Sequence, residues 1–410
     1  MRHRNAGMYA SNGIQVLENG AWVRREFLAA VQAVEPTCRG GYSGGGGFLG
    51  AKIAFDGEGG AYTLLRAVVE GGRRSLLVFT PDAGRTFQAY PIGGTAFDIE
   101  PFTGHNRVDG PPPILLYTFR QDHPARFAGY HDLHLLSIRR DASRLILGEP
   151  VPVAVDCLGS CQHSGGPAST ATRDGKTHIV WGEIADDDAP GVPTFAATYD
   201  HALGTVSPKV LLGHGPPVND VHNVPAITMD SEGYLHVLIG AHGQAFQYAR
   251  SNQPNSTTGG WTAAVPVLQT GYRDPAKGDG EEGRQTYISL VCDPQDALHI
   301  AFRQWRRGVD AHHGGRNYAA LSVQTMPKGG PWGPAVPLVV PPVDGYSIYY
   351  HKLTVDRIGR LFLSYSYWTA DVTYQADFRE RYHHPAIVMS ADAGRTWRLA
   401  ATTDFVSGGR

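Results

Sequence analysis

The sequence is poor in charge and in cysteine, and it contains no long hydrophobic run. Only 18% of its 410 residues are charged, and 36 basic against 38 acidic residues give a net charge of −2. This balance argues against the basic surface of a nucleic-acid-binding protein. Four cysteines are too few for a disulfide scaffold. No apolar stretch approaches the ~18 residues of a membrane span, and the N-terminal segment lacks the apolar core of a secretory signal.

Glycine and proline are abundant instead, with 51 and 28 residues. This is more glycine and proline than a helical protein contains, because both residues interrupt helices. A hydrophobic content of 42%, including 10% aromatic residues, is too high for a disordered chain. The composition therefore favours many short strands joined by tight turns.

One pattern recurs along the chain: an apolar strand ending in aspartate, a short glycine-rich turn and a second apolar strand. Clear copies surround Asp56, Asp174, Asp230, Asp293 and Asp356. From Asp174 onward the aspartates are 56 to 63 residues apart, and the gap before it is about twice as long. We therefore expect a sixth hairpin around Asp109. Such runs bounded by Asp and Gly are typical of β-hairpins.

A second signature, S/T-x-D-x-G-x-T-W/F, occurs from Thr80 to Phe87 and from Ser390 to Trp397. This Asp-box resembles the repeat of bacterial neuraminidases, and we interpret it as a structural β-turn. Four strands per ~60 residues, repeated around a ring, predict an all-β propeller. We expect a single domain over residues 1–410 with seven blades, the seventh formed by the N- and C-terminal segments. Six blades is the alternative.

The hairpins predict which side chains meet, because residues equidistant from an antiparallel turn lie side by side. His222 and His242 are equidistant from residue 232, inside the Asp230 turn. Tyr287 and Arg303 are equidistant from residue 295, inside the next turn, and Tyr350 lies in the equivalent region of the blade after it. We therefore expect one cluster at the ends of three consecutive blades, opposite their turns. Packed core histidines and aromatics are the alternative interpretation.

The segment HNVPAITMDSEGYLHVLIGAHG, followed by a strand headed by Tyr287 and one ending near Arg303, resembles the BNR-repeat propeller polysaccharide lyases. These include ulvan lyases and lyases that cut rhamnosyl-glucuronate bonds, and the stronger part of the match covers residues 218–305. The resemblance implies β-elimination at a 4-linked uronic acid, with glucuronate next to L-rhamnose as the expected substrate. It also implies a secreted or periplasmic protein, although the sequence itself leaves the location open.

The implied chemistry suits these residue types. Arg303 would neutralise the uronate carboxylate and stabilise the enolate-like transition state. Tyr287 and His242 would be the principal acid–base pair, with His222 assisting or orienting, and a tyrosine beside cations is the natural group for a lowered pKa. Which of the pair is the base stays open. No cofactor is required, and the partner is an anionic polysaccharide or oligosaccharide.

Further rim residues are candidates for holding the sugar chain, because aromatic rings stack on sugar faces and arginines bind carboxylates or sulfates. They are Asn223, Arg250, Tyr346, Tyr349, Tyr350 and His351. A structural metal ion, zinc or calcium, is a separate expectation. Its candidate ligands are Cys157, Cys161 and His163, although their spacing matches no standard zinc motif, and a disulfide or free thiols are the alternatives.

Two other functions remain open at this point. A sialidase-like glycoside hydrolase would keep the propeller, but the early Arg-Ile-Pro segment of sialidases is absent from the sequence. A non-catalytic carbohydrate-binding propeller would need no acid or base. The discriminating observation is the unsaturated uronide product, which elimination alone creates.

Overall fold

The computed structural model describes residues 12–43, 52–107, 110–119, 130–159, 166–216, 219–240, 243–268, 284–307, 317–340, 348–368 and 383–405. Almost all regular structure in these ranges is β-strand. The one α-helix among them spans seven residues, and none of the described helical segments is long and apolar enough to cross a membrane.

Six antiparallel sheets of four or five strands form the blades of a propeller. Before them come the hairpin β1 (Gly13–Glu18) and β2 (Ala21–Glu26) and the helix α1 (Leu28–Val34). Blade one contains β3 (Gly41–Ser43), β4 (Ile53–Phe55), β5 (Ala61–Val69), β6 (Gly72–Thr80) and β7 (Gln88–Pro91). Blade two contains β8 (Thr95–Ile99), β9 (Leu115–Thr118), β10 (Tyr130–Leu136), the side hairpin β11 (Ile138–Asp141) and β12 (Arg144–Leu147), and β13 (Val151–Leu158).

Blade three contains β14 (Thr170–Arg173), β15 (Lys176–Gly182), β16 (Pro193–Asp200), β17 (Thr205–Val206) and β18 (Val210–His214). Blade four contains β19 (Ala226–Met229), β20 (Leu235–Ile239), β21 (Gln247–Arg250) and β22 (Val265–Pro266). Blade five contains β23 (Arg284–Cys292), β24 (Leu298–Arg307), β25 (Asn317–Met326) and β26 (Val336–Val339). Blade six contains β27 (Ile348–Val355), β28 (Leu361–Trp368), β29 (His383–Ser390) and β30 (Arg398–Leu399), followed by a 3₁₀ turn at Thr402–Phe405.

The first strands of successive blades contact one another, as β14 does with β19, β19 with β23, and β23 with β27. These strands therefore line the central channel. Hydrophobic clusters fill the spaces between neighbouring blades; Phe246 of blade four, for example, packs edge-on against Phe302 of blade five at 5.9 Å between ring centres. The core is thus a series of layers between blades, because each sheet has two hydrophobic faces that must pack against the neighbouring sheets.

The predicted all-β propeller is confirmed, and the six blades correspond to the six predicted repeats. The expected seventh blade is not among the described sheets. Residues 13–34 form the hairpin β1–β2 and α1, and β3 pairs with β5 of blade one. Trp22 of the hairpin contacts Phe405, whose ring stacks on Phe362 of blade six, so both terminal segments meet beside the last blade.

Most hairpin turns share one device. The carboxylate Oδ1 of Asp56, Asp230, Asp293 and Asp356 accepts hydrogen bonds from the backbone N–H groups two and four residues later. The turn at Asp174 differs: its φ is +49° and that of Gly175 is +70°, which is the two-residue hairpin typical of Asp-Gly. We call the end of the propeller that carries these turns the turn end, and the opposite end the rim.

The predicted hairpin at Asp109 was wrong in its pairing. The strand β9 pairs with β8, not with the segment just before Asp109, and residues 100–114 connect the two strands; Asp109 itself lies outside the described residues. Pro111, Pro112 and Pro113 have no N–H groups to donate to a sheet ladder.

This connection crosses the central channel at the turn end. The carbonyl of Thr103 accepts hydrogen bonds from Thr228 Oγ1 of blade four and from the backbone N–H of Cys292 of blade five. Arg107 donates to the carbonyl of Phe55 in blade one, and its backbone N–H donates to Thr172 in blade three. One loop of blade two therefore ties together β4 of blade one and the first strands of blades three, four and five.

Candidate active site

The rim ends of blades five and six each carry one inserted residue. In β23 the pairing register shifts by one between Thr286 and Ser289, and an equivalent shift occurs in β27. The residues at these bulges are Tyr287, with φ +63°, and Tyr350, with φ +34°. Aromatic residues rarely adopt the left-handed region, so this backbone is strained. A bulge re-aims a side chain, and here it brings the two tyrosine rings to 5.9 Å between centres.

Arg303 lies across the hairpin from the first of these bulges. Its guanidinium carbon is 4.2 Å from the centre of the Tyr287 ring and 5.5 Å from the Trp305 ring, and its Nε donates to Thr286 Oγ1 at 3.0 Å. The residue is only 2% exposed. The guanidinium is thus fixed in orientation between aromatic faces, which attract cations.

His222 approaches Tyr287 from blade four, with 5.4 Å between ring centres. It lies in a turn just before β19, where Asp220 holds it twice. The Asp220 carboxylate accepts the backbone N–H of His222 at 2.8 Å, and it forms an ion-pair contact with Nδ1 of the same imidazole. Because Nδ1 is engaged by a carboxylate, Nε2 is the ring nitrogen suited to proton exchange with a ligand.

We call His222, Tyr287, Arg303 and Tyr350 the rim cluster. Three consecutive blades contribute to it, and it contains a cation, an imidazole and two phenols. The carboxylate of Asp220 contacts the imidazole of the cluster. Such a set can bind an anionic group and move protons at a neighbouring carbon or oxygen.

A buried histidine lies beside the cluster, and a lysine follows it in the chain. His351 is fully buried, its Nε2 lies 3.0 Å from the carbonyl of Ala301, and burial together with the charge of Arg303 lowers its pKa to about 4. It is therefore neutral near pH 7. Burial, with the charge of Lys52 second, lowers the pKa of Lys352 to about 7. The neutral His351 therefore adds no positive charge beside Arg303, whereas the charges that act on Lys352 are those of Lys52 and Asp98.

The predicted catalytic and sugar-binding residues fall into four groups. His222, Tyr287 and Arg303 lie together as expected, and Tyr350 joins them. His242 and Tyr346 lie outside the described residues, as does the side chain of Tyr349.

Two predicted sugar-binding residues lie beneath the surface. Asn223 is 1% exposed and its backbone packs against Gly240, where an added Cβ would come within 2.4 Å of the Asn223 carbonyl carbon. His351 is enclosed as described above. Both side chains are enclosed to a similar degree as Arg303, which is 2% exposed, and a role for them in holding the sugar chain stays a prediction.

The prediction that Arg250 lies on the rim was wrong. Arg250 pairs with His236, close to the Asp230 turn, and its guanidinium stacks on Tyr234 at 3.7 Å. A strand advances ~3.3 Å per residue, so Arg250 lies far from the rim. The equidistance rule that paired His222 with His242 also predicts this position. Applied to the connection between β20 and β21, which centres on residue 243, it pairs Arg250 with His236.

Of the three predicted metal ligands, Cys157 alone lies in the part of the chain that the structure describes. Cys157 is fully buried between blades two and three, and its Sγ donates to the carbonyl of Leu158 at 3.3 Å. Burial holds the pKa of its thiol well above the usual range. Cys161 and His163 lie outside the described residues. Cys38 packs in a separate cluster between α1 and blade one, so it shares no site with Cys157.

Sequence reasoning missed Asp220. A signal was present, because Asp two residues before His in D-V-H-N is the spacing at which an aspartate side chain accepts the N–H of residue i+2. The two bulges left no signal, since a tyrosine in an apolar strand predicts ordinary strand geometry.

A model of a family described as "BNR repeat-containing family member" matches residues 193–407. No curated protein matches the chain. Solved structures with similarity include an ulvan lyase presented as a new polysaccharide lyase family, with 15% identity and a TM-score of 0.37 over 54% of this chain and 50% of that one. The matched region thus spans half the length of that enzyme.

Two further structures are similar at the same level. The polysaccharide lyase Uly1 has 15% identity and a TM-score of 0.40, over 68% of this chain and 64% of that one. An α-L-arabinanase of Penicillium chrysogenum in complex with arabinobiose has 12% identity and a TM-score of 0.43, over 93% and 98%. These similarities assign no activity. The family match covers 215 of the 410 residues, which is more than half, and the chain therefore belongs to the BNR repeat-containing family.

Proposed function

We propose that this protein is a polysaccharide lyase that cleaves a 4-linked uronic acid by β-elimination. The observation that carries the proposal is the position of Tyr287, held by a strained bulge between the Arg303 guanidinium at 4.2 Å and the His222 ring at 5.4 Å. A phenol between a fixed cation and an imidazole is suited to proton transfer beside a bound anion.

The cation has the first role in this reaction. The proton at C5 of a uronate is scarcely acidic while the neighbouring carboxylate is charged, so a lyase must neutralise that charge. Arg303 is fixed by Thr286 and by the two aromatic faces, and its planar guanidinium suits a carboxylate. It would stabilise the negative charge that develops on the carboxylate as the proton leaves.

The acid and the base complete the reaction. A base removes the C5 proton, the electron pair forms the C4–C5 double bond, and O4 leaves with a proton from an acid. Tyr287 is one member of this pair, and His242, predicted from sequence, is the other. His222, oriented by Asp220, assists through Nε2. Glucuronate linked to L-rhamnose is the substrate that the sequence resemblance favours.

A glycoside hydrolase is the second candidate function. Most hydrolases use two carboxylates placed about 5–9.5 Å apart across the scissile bond. The Asp220 carboxylate is engaged by His222, and the groups that meet Tyr287 include an imidazole and a guanidinium. A phenol beside these two groups favours elimination as the first proposal.

The test is a panel of ulvan, gum arabic side chains, pectins and bacterial exopolysaccharides, with product followed by the ultraviolet absorbance of the unsaturated uronide and by new reducing ends. We expect both signals to rise together on a uronate-containing glycan. Tyr287→Phe should abolish them while the protein stays folded, and Tyr234→Phe at the turn end is the matched control. Reducing ends without the absorbance would indicate hydrolysis, and binding without either signal would indicate a non-catalytic propeller.

A further inference from the structure

The loop that crosses the channel at the turn end brings a histidine against blade five. Gly104 makes this possible: its φ is +144°, and a Cβ there would lie 2.3 Å from the carbonyl oxygen of Cys292. His105 follows, with its Nε2 3.0 Å from the carbonyl of Asp293 and 3.2 Å from Asp296 Oδ1. The histidine of one blade thus meets the hairpin turn of another.

Three different metal-binding atoms converge at this point. One ligand atom from each of His105, Cys292 and Asp296 lies within 4.8 Å of the others. Cys292 and Asp296 are buried, and the His105 side chain is 18% exposed. Ligand bonds to zinc of about 2.0–2.3 Å keep the ligands of a tetrahedral site roughly 3–4 Å apart. Small side-chain rotations would therefore close this set around an ion.

The surroundings supply what such a site needs. The Asp296 carboxylate is oriented by the backbone N–H and hydroxyl of Ser231, both at 2.7 Å, and by Lys328 at 2.9 Å. Outer partners of this kind fix the direction of a ligand. A cavity of about 160 Å³ opens beside the group, lined in part by His105 and Cys292. Because one water occupies about 30 Å³, the cavity has room for an entry path and a water ligand.

We propose that His105, Cys292 and Asp296 bind a divalent transition metal ion of the zinc class, which we call the axial metal site. Imidazole nitrogen, sulfur and a carboxylate favour zinc or cobalt over calcium and magnesium. On binding, the Cys292 S–H bond breaks, a sulfur–metal bond forms and the proton passes to solvent. The Nε2 proton of His105 moves to Nδ1 by exchange with water, so the metal gains the Nε2 lone pair without further net proton release.

The axial metal site lies at the turn end, away from the rim cluster, so it acts on the fold rather than on the reaction. It would fasten the loop of blade two to the hairpin of blade five across the channel. The inference is independent of the proposed lyase activity. It also differs from the Cys157 set predicted from the sequence, which belongs to another pair of blades.

The experiment strips the full-length protein with a chelator and titrates it with Co²⁺, following the thiolate-to-cobalt charge-transfer absorbance. We expect one Co²⁺ per chain in the wild type, loss of the band in Cys292→Ser and at least tenfold weaker binding in His105→Gln. The double variant Cys157→Ser/Cys161→Ser removes the other candidate set and should keep the band. Cys38→Ser is a second control, a buried thiol far from the site.

A thermal measurement separates binding from misfolding. Zinc should raise the Tm of the stripped wild type and of the double variant but not that of Cys292→Ser, because an ion that binds only the folded state stabilises it. His105→Gln keeps the test decisive if the buried Cys292→Ser folds poorly, since His105 is partly exposed. No band in the wild type, or a band that survives both Cys292→Ser and His105→Gln, would overturn the axial metal site.

Discussion

The two ends of the same blades follow different rules. At the turn end, four hairpins repeat one solution, in which an aspartate, buried in three of the four, accepts two backbone N–H groups and then pairs with a basic side chain. These partners are Arg140, His236, His299 and Arg360. At the rim, blades five and six instead place tyrosines in strained left-handed backbone beside a buried arginine.

The difference separates stability from function. The turn aspartates accept hydrogen bonds from backbone N–H groups that would otherwise have no partner within the protein, and each copy does so in the same way. Strain at Tyr287 and Tyr350 has no such benefit for the fold, and backbone of this kind persists where the surrounding structure enforces it. The repeat therefore marks the scaffold, and the departure from the repeat marks the site.

The largest expected effect is at Arg303. We expect Arg303→Ala to lose roughly 3–5 kcal/mol of transition-state stabilisation and so to lower turnover strongly. Turnover of Arg303→Lys should also stay well below wild type, because lysine lacks the planar fork of the guanidinium. The measurement is the rate of unsaturated uronide formation, with Tm recorded on the same proteins. Arg250→Ala, at the turn end, is the matched control and should keep its turnover. Wild-type turnover in Arg303→Lys would contradict the proposed role.

The next effect concerns stability at the turn end. Asp293 is fully buried and accepts hydrogen bonds from the backbone N–H groups of Gln295 and Ala297, both at 2.9 Å, while its other oxygen pairs with His299. Asp293→Ala leaves these donors unsatisfied and should lower the free energy of unfolding by about 2–4 kcal/mol. Denaturant unfolding measures it. An unchanged midpoint would mean that the repeated turn is not a stabilising device.

A smaller effect on turnover tests the Asp–His pair of the rim against that of the turn end. Asp220→Asn should lower turnover about tenfold to a hundredfold, which is about 1.4–2.7 kcal/mol, because His222 loses the carboxylate that orients it. The pH profile of turnover should shift with it. Asp230→Asn breaks the equivalent pair with His236 and should lower Tm while leaving turnover unchanged. Equal effects of both variants on turnover would refute the distinction between the two ends.

Much of the difference between the two ends could be predicted from the sequence, because the hairpin pattern repeats along the chain. The hairpins at Asp56, Asp174, Asp230, Asp293 and Asp356 were predicted because an aspartate before a glycine-rich turn is a local signal. The meeting of Tyr287 with Arg303 followed from counting residues on either side of such a turn.

The failures arose where long-range contacts override local pattern. The segment before Asp109 looks like a strand, yet it crosses the channel because Thr103 and Arg107 bond to other blades. The bulges at Tyr287 and Tyr350 are held by tertiary packing, and no residue type announces them. Strained positions of this kind are where sequence reasoning is expected to fail.

The smallest effect lies in the Asp-box of blade six, also at the turn end. Asp392 accepts hydrogen bonds from the side chain and the backbone N–H of Thr396 and from Ser390, and these bonds lower its pKa to about 2. A lowered pKa stabilises the fold above the unfolded value of about 3.9, and this contribution is lost as the pH falls toward 2. Asp392→Asn should therefore lower Tm slightly at pH 7, by less than Asp293→Ala, because Asp392 is closer to solvent.

The gap in Tm between wild type and Asp392→Asn should narrow as the pH is lowered below about 4, for as long as the fold persists. Thermal unfolding at a series of pH values measures this gap. Asp82 of the first Asp-box makes the same contacts with Thr80 and Thr86, so Asp82→Asn is a replicate in another blade. A gap that does not change with pH would show that the Asp392 carboxylate contributes no pH-dependent stability. A gap larger than that of Asp293→Ala would show that the outer turns stabilise the propeller as strongly as the inner ones.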